Sequence, residues 1–423
     1  MTDLHGANSA TASADGAARA GALRAGMVRA VVAWHEQVGL SLPQRVEEVL
    51  SRVPRHLFTP GVSLEQAYAD ESIVTKRNAD GIDISAVSAP KAISGMLAQC
   101  GDLTGARVLE IGSGGYNAAL LRELVGPAGE VTTIDIDPEV VTRARACLDR
   151  AGYDDVRTLC VDGEFGVPEH APYDLIIITV GAWDVAPAYR EQLVEGGLLV
   201  LPLRTRGLTR SWALRRRGSR LESVSQLMCG FVPIQGAGAH DIHSVQLHQA
   251  GVTLMLDELD PVATDSLAEA LDSPPVEVWS GVTIDRHEWF ADQDLWLLTT
   301  PEFCRLVATQ EAVDQGVVRP SWRIATPALA VGGSLAYRAR FRLVDEASGL
   351  YEFGAYGHGP DGKELAERLA EQIRIWDRNH RGGPGPTLTV LPLGNAPAGK
   401  VPDGFVLKKD HSELVMSWPG TDR

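Results

Sequence analysis

The run Val108-Leu109-Glu110-Ile111-Gly112-Ser113-Gly114-Gly115-Tyr116-Asn117 delivers an apolar strand into a glycine-rich turn that opens a helix. Glycines in such a turn let the backbone take positive φ and approach a ligand closely. The helix start beyond offers unpaired N–H groups. Two ligand classes use this cradle: dinucleotides and S-adenosylmethionine (SAM). The residues favour SAM. The dinucleotide fingerprint GxGxxG needs a third glycine where Asn117 stands. Glu110, at the strand's carboxyl end, suits the cationic end of SAM, directly or through water, and would repel a pyrophosphate. Asp135 ends the next strand, 23 residues after Gly112, placed to accept from ribose hydroxyls, with Ile136 beside it. Asp162-Gly163 end the strand after that, where an acceptor can meet the adenine amino group. These acids could instead serve as caps and turn residues. Asp137, just before Pro138, reads as a helix N-cap.

The elements that must position these residues alternate. After ARVLEIG come the helix AALLRELVG, the strand EVTTIDID, the helix PEVVTRARACLDRAG, the strand VRTLCVDG and the very apolar strand YDLIIITVGA. The helix YREQLVEGG, with a glycine stop, precedes LLVLPL, SWALRRR and LESVSQLM, all read as strands. This is an α/β pattern with an open, mostly parallel sheet. Upstream, Leu23, Met27, Val31, Trp34 and Val38 recur at helical spacing. Ser41 is placed to cap a second helix carrying Val46, Val49 and Leu50. Residues 1–16 are small and polar and predict a disordered tail. From Asp241 the pattern changes to α+β: VEVWSGVTI, DLWLLTT, SLAYRARFRLV, LYEFGAYGHG, PTLTVLPLG and GFVLKKDHSELVMSWP read as strands. KELAERLAEQIRIWDRNH reads as one amphipathic helix with Leu365, Leu369, Ile373 and Trp376 on its core face.

Composition sets outer bounds. The chain has 423 residues, enough for two or three domains, and a net charge of −16, which argues against nucleic acid as the main partner. Arg215-Arg216-Arg217 reads as a solvated turn. The five cysteines form no CxxC pair, so a disulfide framework or zinc ribbon is not expected and a reducing cytoplasm fits. The N-terminus lacks the parts of a signal peptide, and no apolar run approaches membrane-spanning length. The expectation is a soluble, cytoplasmic protein without a membrane partner. His240, His243 and His248 have weak metal-site spacing and no completing ligand, so no metal is expected. Trp279, Trp289, Trp296 and Trp322 could stack on a peptide but read better as core.

Residues 42–236 resemble protein-L-isoaspartate O-methyltransferases. The matching series is Val53-Pro54-Arg55-His56-Leu57-Phe58, Ala67-Tyr68-Ala69-Asp70, Val87-Ser88-Ala89-Pro90, the glycine turn, Ile134-Asp135, Asp162-Gly163, Ala171-Pro172-Tyr173-Asp174, and Gln192-Leu193 with Gly196-Gly197-Leu198. The resemblance implies a Rossmann-like SAM-dependent methyltransferase fold, with a mostly parallel seven-stranded sheet, over residues 17–240. It implies a cofactor site of Val87, Ser88, Glu110, Gly112, Ser113, Gly114, Gly115, Tyr116, Asn117, Asp135, Ile136, Asp162 and Gly163. Ser88 inherits, by motif match, the contact with the substrate carboxylate; a competing role for it is a helix N-cap before Pro90.

Two features depart from the family. The glycine turn is one residue shorter than the usual Gly-x-Gly-x-Gly-Tyr. The chain also continues through residues 241–423. That extension resembles the branch associated with ribosomally made, modified peptides (lanthipeptides, graspetides, lasso peptides). In that branch an aspartate of a cyclised precursor is methylated and closes to a succinimide (aspartimide), which can open to isoaspartate. The extension is then expected to hold the peptide. A general isoaspartyl repair enzyme is the alternative reading, and a non-catalytic scaffold a third.

Overall fold

The computed structural model describes residues 4–257, 264–397, 401 and 404–419. Helix α1 (Leu4–Gln37) takes in most of the stretch whose composition suggested a disordered tail. Its alanine content, high in that stretch, is the physical reason a helix is available there. Met1-Thr2-Asp3 lie outside the described residues. Helix α2 (Gln44–Arg52) buries Val46, Val49 and Leu50 as expected, but Pro43 is its N-cap, not Ser41. Helix α3 (Leu64–Tyr68) is closed by a Ser63–Gln66 capping box.

A two-stranded hairpin, β1 (Ile73–Arg77) and β2 (Asp83–Val87), leads into α4 (Pro90–Gln99). Then come β3 (Arg107–Ile111), α5 (Tyr116–Val125), β4 (Glu130–Asp135), α6 (Pro138–Ala151), β5 (Arg157–Cys160), β6 (Tyr173–Ile178), β7 (Leu193–Thr205), β8 (Leu208–Arg217) and β9 (Arg220–Met228). Strands β3 to β7 are parallel, and β8 and β9 add antiparallel. This is the expected seven-stranded methyltransferase sheet. Leu175 to Ile178 of β6 are completely buried, as a central parallel strand covered on both faces must be. Strand β7 starts at Leu193, so Gly196-Gly197 lie inside it and do not end the preceding helix. Arg215 and Arg216 sit on β8 and donate to the carbonyls of Gly196 and Leu193, so they are fastened to the sheet and do not form a turn.

The second unit holds β10 (Ser244–His248), β11 (Val252–Met255), β12 (Val276–Asp285), β13 (Phe303–Ala308), β14 (Thr326–Val331), β15 (Ser334–Arg338), β16 (Arg342–Asp345) and β17 (Leu350–His358), all antiparallel. The helix Gly362–Asn379 buries Leu365, Leu369, Ile373 and Trp376, as its stripe predicted. The run DLWLLTT, expected as a strand, instead continues a helix (Ala291–Leu297) with Asp292 and Asp294 in its first turn. A short apolar run carries no period to separate the two readings, and acids favour a helix start.

The last strands, β18 (Thr387–Pro392), β19 (Gly404–Lys408) and β20 (Ser412–Ser417), leave the second unit. They extend the first sheet beyond β9, in the order β19-β20-β18-β9-β8-β7-β6-β3-β4-β5. The sequence boundary at 241 therefore marks where an insertion begins, because 387–417 pair with the methyltransferase sheet. One apolar core runs through both units, from Ile176, Leu199 and Trp212 to Leu295, Phe353 and Trp376. Trp296 lies in it, whereas Trp289 and Trp322 are 58% and 47% exposed and are not core. The five cysteines are free thiols. No described helix is long and apolar enough to cross a membrane.

Candidate active site

The carboxyl ends of β3, β4 and β6 open on a pocket. Open α/β sheets bind ligands at this edge. Glu110, Gly112, Ser113, Gly114, Tyr116, Asn117 and Asp135 line it on one side; Ala86, Val87 and Ser88 line it on another. A narrower extension holds Asp135, Ile136 and Gly163. Gly115 is the N-cap of α5, and Asp162 stands behind the loop that follows β9. So the structure brings the expected set to one place, with those two as supports at its margin.

Gly112, Gly115 and Gly163 each have a structural reason; at Gly114 a Cβ would make only ordinary contacts. Gly112 has φ +97°, and a Cβ there would lie 2.7 Å from Thr179 Oγ1. That hydroxyl donates to the Gly112 carbonyl at 2.7 Å and fixes the turn. Gly115 has φ +80°. A Cβ on Gly163 would meet Ile111 Cγ2 at 2.4 Å.

The acids divide in role. Glu110 is 0% exposed. Its oxygens accept from Asn117 Nδ2 at 2.8 Å and Thr133 Oγ1 at 2.6 Å. Burial outweighs these donors and pushes its carboxyl up to about 7. Asp135 accepts from the Ser113 amide and the Asp137 amide, each at 3.0 Å, so it ties the glycine turn to the end of β4. Its carboxyl is raised by burial. Asp137 caps α6 through Glu139 and Val140 N–H, as expected. Asp162 Oδ1 accepts from Glu164 N, and Oδ2 accepts from Ala237 N at 2.8 Å. It thereby fastens the 233–238 segment over the site.

The segment carrying Val87 and Ser88 is held by Arg55. This arginine is 0% exposed and donates to the carbonyls of Ala67 (2.8 Å), Ser88 (2.9 Å), Glu71 (3.2 Å) and Val87 (3.4 Å). Its guanidinium also lies 5.2 Å from the Tyr116 ring centroid. Four carbonyls take the place of a carboxylate partner, and burial lowers its pKa. The N-cap of α4 is Ala89, so the Ser88 hydroxyl is not spent on capping.

Thr179, Phe231 and Val232 also line the pocket and were missed in the sequence. Thr179 could have been found, because it directly follows the most apolar strand. His240 stacks on Trp183, 3.5 Å between ring centroids, and His248 accepts from its own turn at Ala250 N. Among the described residues no three His, Cys, Asp or Glu side chains gather as metal ligands do.

The glycine cradle, the buried Ser113 hydroxyl with no hydrogen-bond partner among the described residues, and the acids at the strand ends fit SAM. The chain is a SAM-dependent methyltransferase. The family model described as protein-L-isoaspartate(D-aspartate) O-methyltransferase (PCMT) matches residues 27–239, and the chain belongs to that family. The protein-L-isoaspartate O-methyltransferase of Methanococcoides burtonii is 44% identical over 163 residues, 38% of this chain and 77% of that one. That of Methanopyrus kandleri is 36% identical over 204 residues, 48% and 88% of the two chains. A solved structure named protein-L-isoaspartate O-methyltransferase is 20% identical, covers 86% of this chain and 96% of its own, and has a TM-score of 0.47.

Proposed function

We propose that this enzyme methylates the free carboxylate of an isoaspartyl residue in a peptide or protein, giving an ester that closes to a succinimide when the next backbone nitrogen attacks it and methanol leaves. The observation that carries this reading is the Arg55 clamp. It presents Val87 and Ser88 across the pocket from the glycine turn and leaves the Ser88 hydroxyl to orient a carboxylate.

Bound in the cradle, SAM supplies a methyl group on a sulfonium, an electrophile that needs no further activation. The acceptor carboxylate is ionised at neutral pH, with a reference pKa near ~4. No general base is required of the chain. Its work is positioning, which supplies on the order of 7–11 kcal/mol in favourable cases. Val87, Gly112 to Asn117, Asp135, Ile136 and Gly163 hold the cofactor. Glu110 balances its cationic end and Ser88 orients the acceptor.

A second reading is methylation of an aspartate in a cyclised, ribosomally made precursor peptide. It is favoured by the shortened glycine turn and by a chain that continues well past the matched residues. One mass-spectrometric assay separates the two: SAM with a linear isoaspartyl peptide, and SAM with a cyclised precursor. Turnover of the linear peptide alone supports the first reading; turnover of the precursor alone replaces it with the second.

A further inference from the structure

A second pocket, about 510 Å3, lies beside the first and shares Phe231 with it. The backbone after β6 runs through both: Thr179 and Val180 line the first, Gly181 to Trp183 the second. A peptide that brings a carboxylate to Ser88 in the first pocket can set a flanking residue past Phe231, the wall the two pockets share.

The walls of the second pocket are mainly apolar, with Trp183, Phe231 and Ile242 among them. Its arginine is already matched, whereas His240 Nε2 is buried with no hydrogen-bond partner among the described residues. Arg204 gives Nε and Nη2 to the carboxylate of Asp257, whose side chain is 1% exposed. His240 covers one face of the Trp183 indole at 3.5 Å, interplanar angle 1°. Lys409 Nζ is 3.3 Å from the same ring centroid. A parallel ring at that spacing leaves no room for an ammonium, so Lys409 lies on the other face. It also donates to the Arg204 carbonyl at 2.6 Å. Asp184, one residue after Trp183, accepts from the His411 amide at 2.6 Å and from the Ser412 hydroxyl, which pins the turn that carries Lys409. The wall is thus cross-braced by hydrogen bonds, and its cations already have partners.

Of the lining residues, His240 and Ile242 lie past the residues matched by the family, 27–239, as do Asp257, which holds Arg204, and Lys409, which lies on Trp183. The geometry points to a specificity subsite, closed on one side by the added chain, that takes an uncharged, mainly apolar side chain flanking the methyl-accepting residue. This rests on the reading of the protein as a peptide carboxyl methyltransferase.

The test uses the full chain, SAM, and three peptides with isoaspartate flanked on both sides by Leu, Gly or Lys. Peptide binding in the presence of S-adenosylhomocysteine is read separately by fluorescence anisotropy. Leu-flanked peptide should exceed Gly-flanked peptide about tenfold in kcat/KM, the size of effect a filled apolar pocket gives. Ile242 is 42% exposed, so Ile242→Glu should fold, which unaltered S-adenosylhomocysteine affinity verifies. That variant should lose the Leu preference and gain on the Lys-flanked peptide. Methylation of all three peptides alike by both proteins overturns the subsite and leaves the methyltransferase reading standing. Flank-dependent binding without turnover keeps the subsite and overturns the isoaspartyl reading. Neither binding preference nor turnover overturns both.

Discussion

The donor side and the acceptor side of the site are built differently. The donor side comes from one stretch, Glu110 to Asp137, in which a strand end, a turn and two helix starts brace one another through Asp135 and Asn117. The acceptor side is assembled from remote pieces: Arg55 and Ser88, the residues after β6, the segment 231–242, and the turn at 409–412. On the function proposed, cofactor recognition is a local property of the chain, and substrate recognition a property of the finished fold. Lesions on the first side should change SAM affinity. Lesions on the second should change the handling of peptide.

The largest effect should come from Gly112→Val. The residue is held at positive φ with Thr179 Oγ1 in the space a Cβ would need. Strain and overpacking together cost several kcal/mol, about 2–6 by their usual sizes, and calorimetry should find SAM binding reduced beyond detection. Next, Asp135→Ala should weaken SAM binding by roughly 1.5–3 kcal/mol. Unaltered affinity in a folded variant would refute the ribose assignment. On the acceptor side, Arg55→Lys removes part of a four-carbonyl clamp. Steady-state kinetics should show kcat/KM for peptide falling about tenfold, as for one lost charged hydrogen bond, with the dissociation constant of SAM little altered. Equal losses in both quantities would erase the division between the two sides.

The smallest effect concerns pH. Glu110 has its carboxyl raised to about 7 by burial, so it is largely neutral at pH 6 and ionised at pH 8. A cation favours the ionised form, so SAM affinity should rise with pH across that window, by less than about tenfold, and then level off. Glu110→Gln should flatten the rise, which calorimetry at the two pH values would read. The same shift bears on stability. The folded pKa lies above the unfolded one, so ionisation favours the unfolded chain. Stability should decline from about pH 4.5 to 7 on this account and stay level above it.

This division also explains what could be read in advance. Glycines at fixed offsets and acids at successive strand ends are local signals, and the structure gathers them as the spacing implied. Phe231 and Lys409 carry no local signal; each matters only because a distant segment folds against it. Asp162 shows the limit of the local reading. It stands at the expected strand end, yet unlike Asp135 it does not line the pocket; it accepts from its own turn and from Ala237, 75 residues on. DLWLLTT failed for a related reason, since apolarity fixed its burial but not its period. The amphipathic helix at 362–379 succeeded because eighteen residues hold a full pattern.

The return of β18 to the edge of β9 has a consequence for biosynthesis. About 160 residues separate the two strands, so at ~5–20 residues per second a ribosome needs on the order of ten seconds to deliver the missing neighbour. During that interval the Leu221–Glu222 stretch of β9, later paired with Val390 and Thr389, presents an open strand edge, a template for pairing with other chains. The glycine cradle is complete long before then. A nascent chain then carries every residue of its cradle while the turn at 409–412 is still being made.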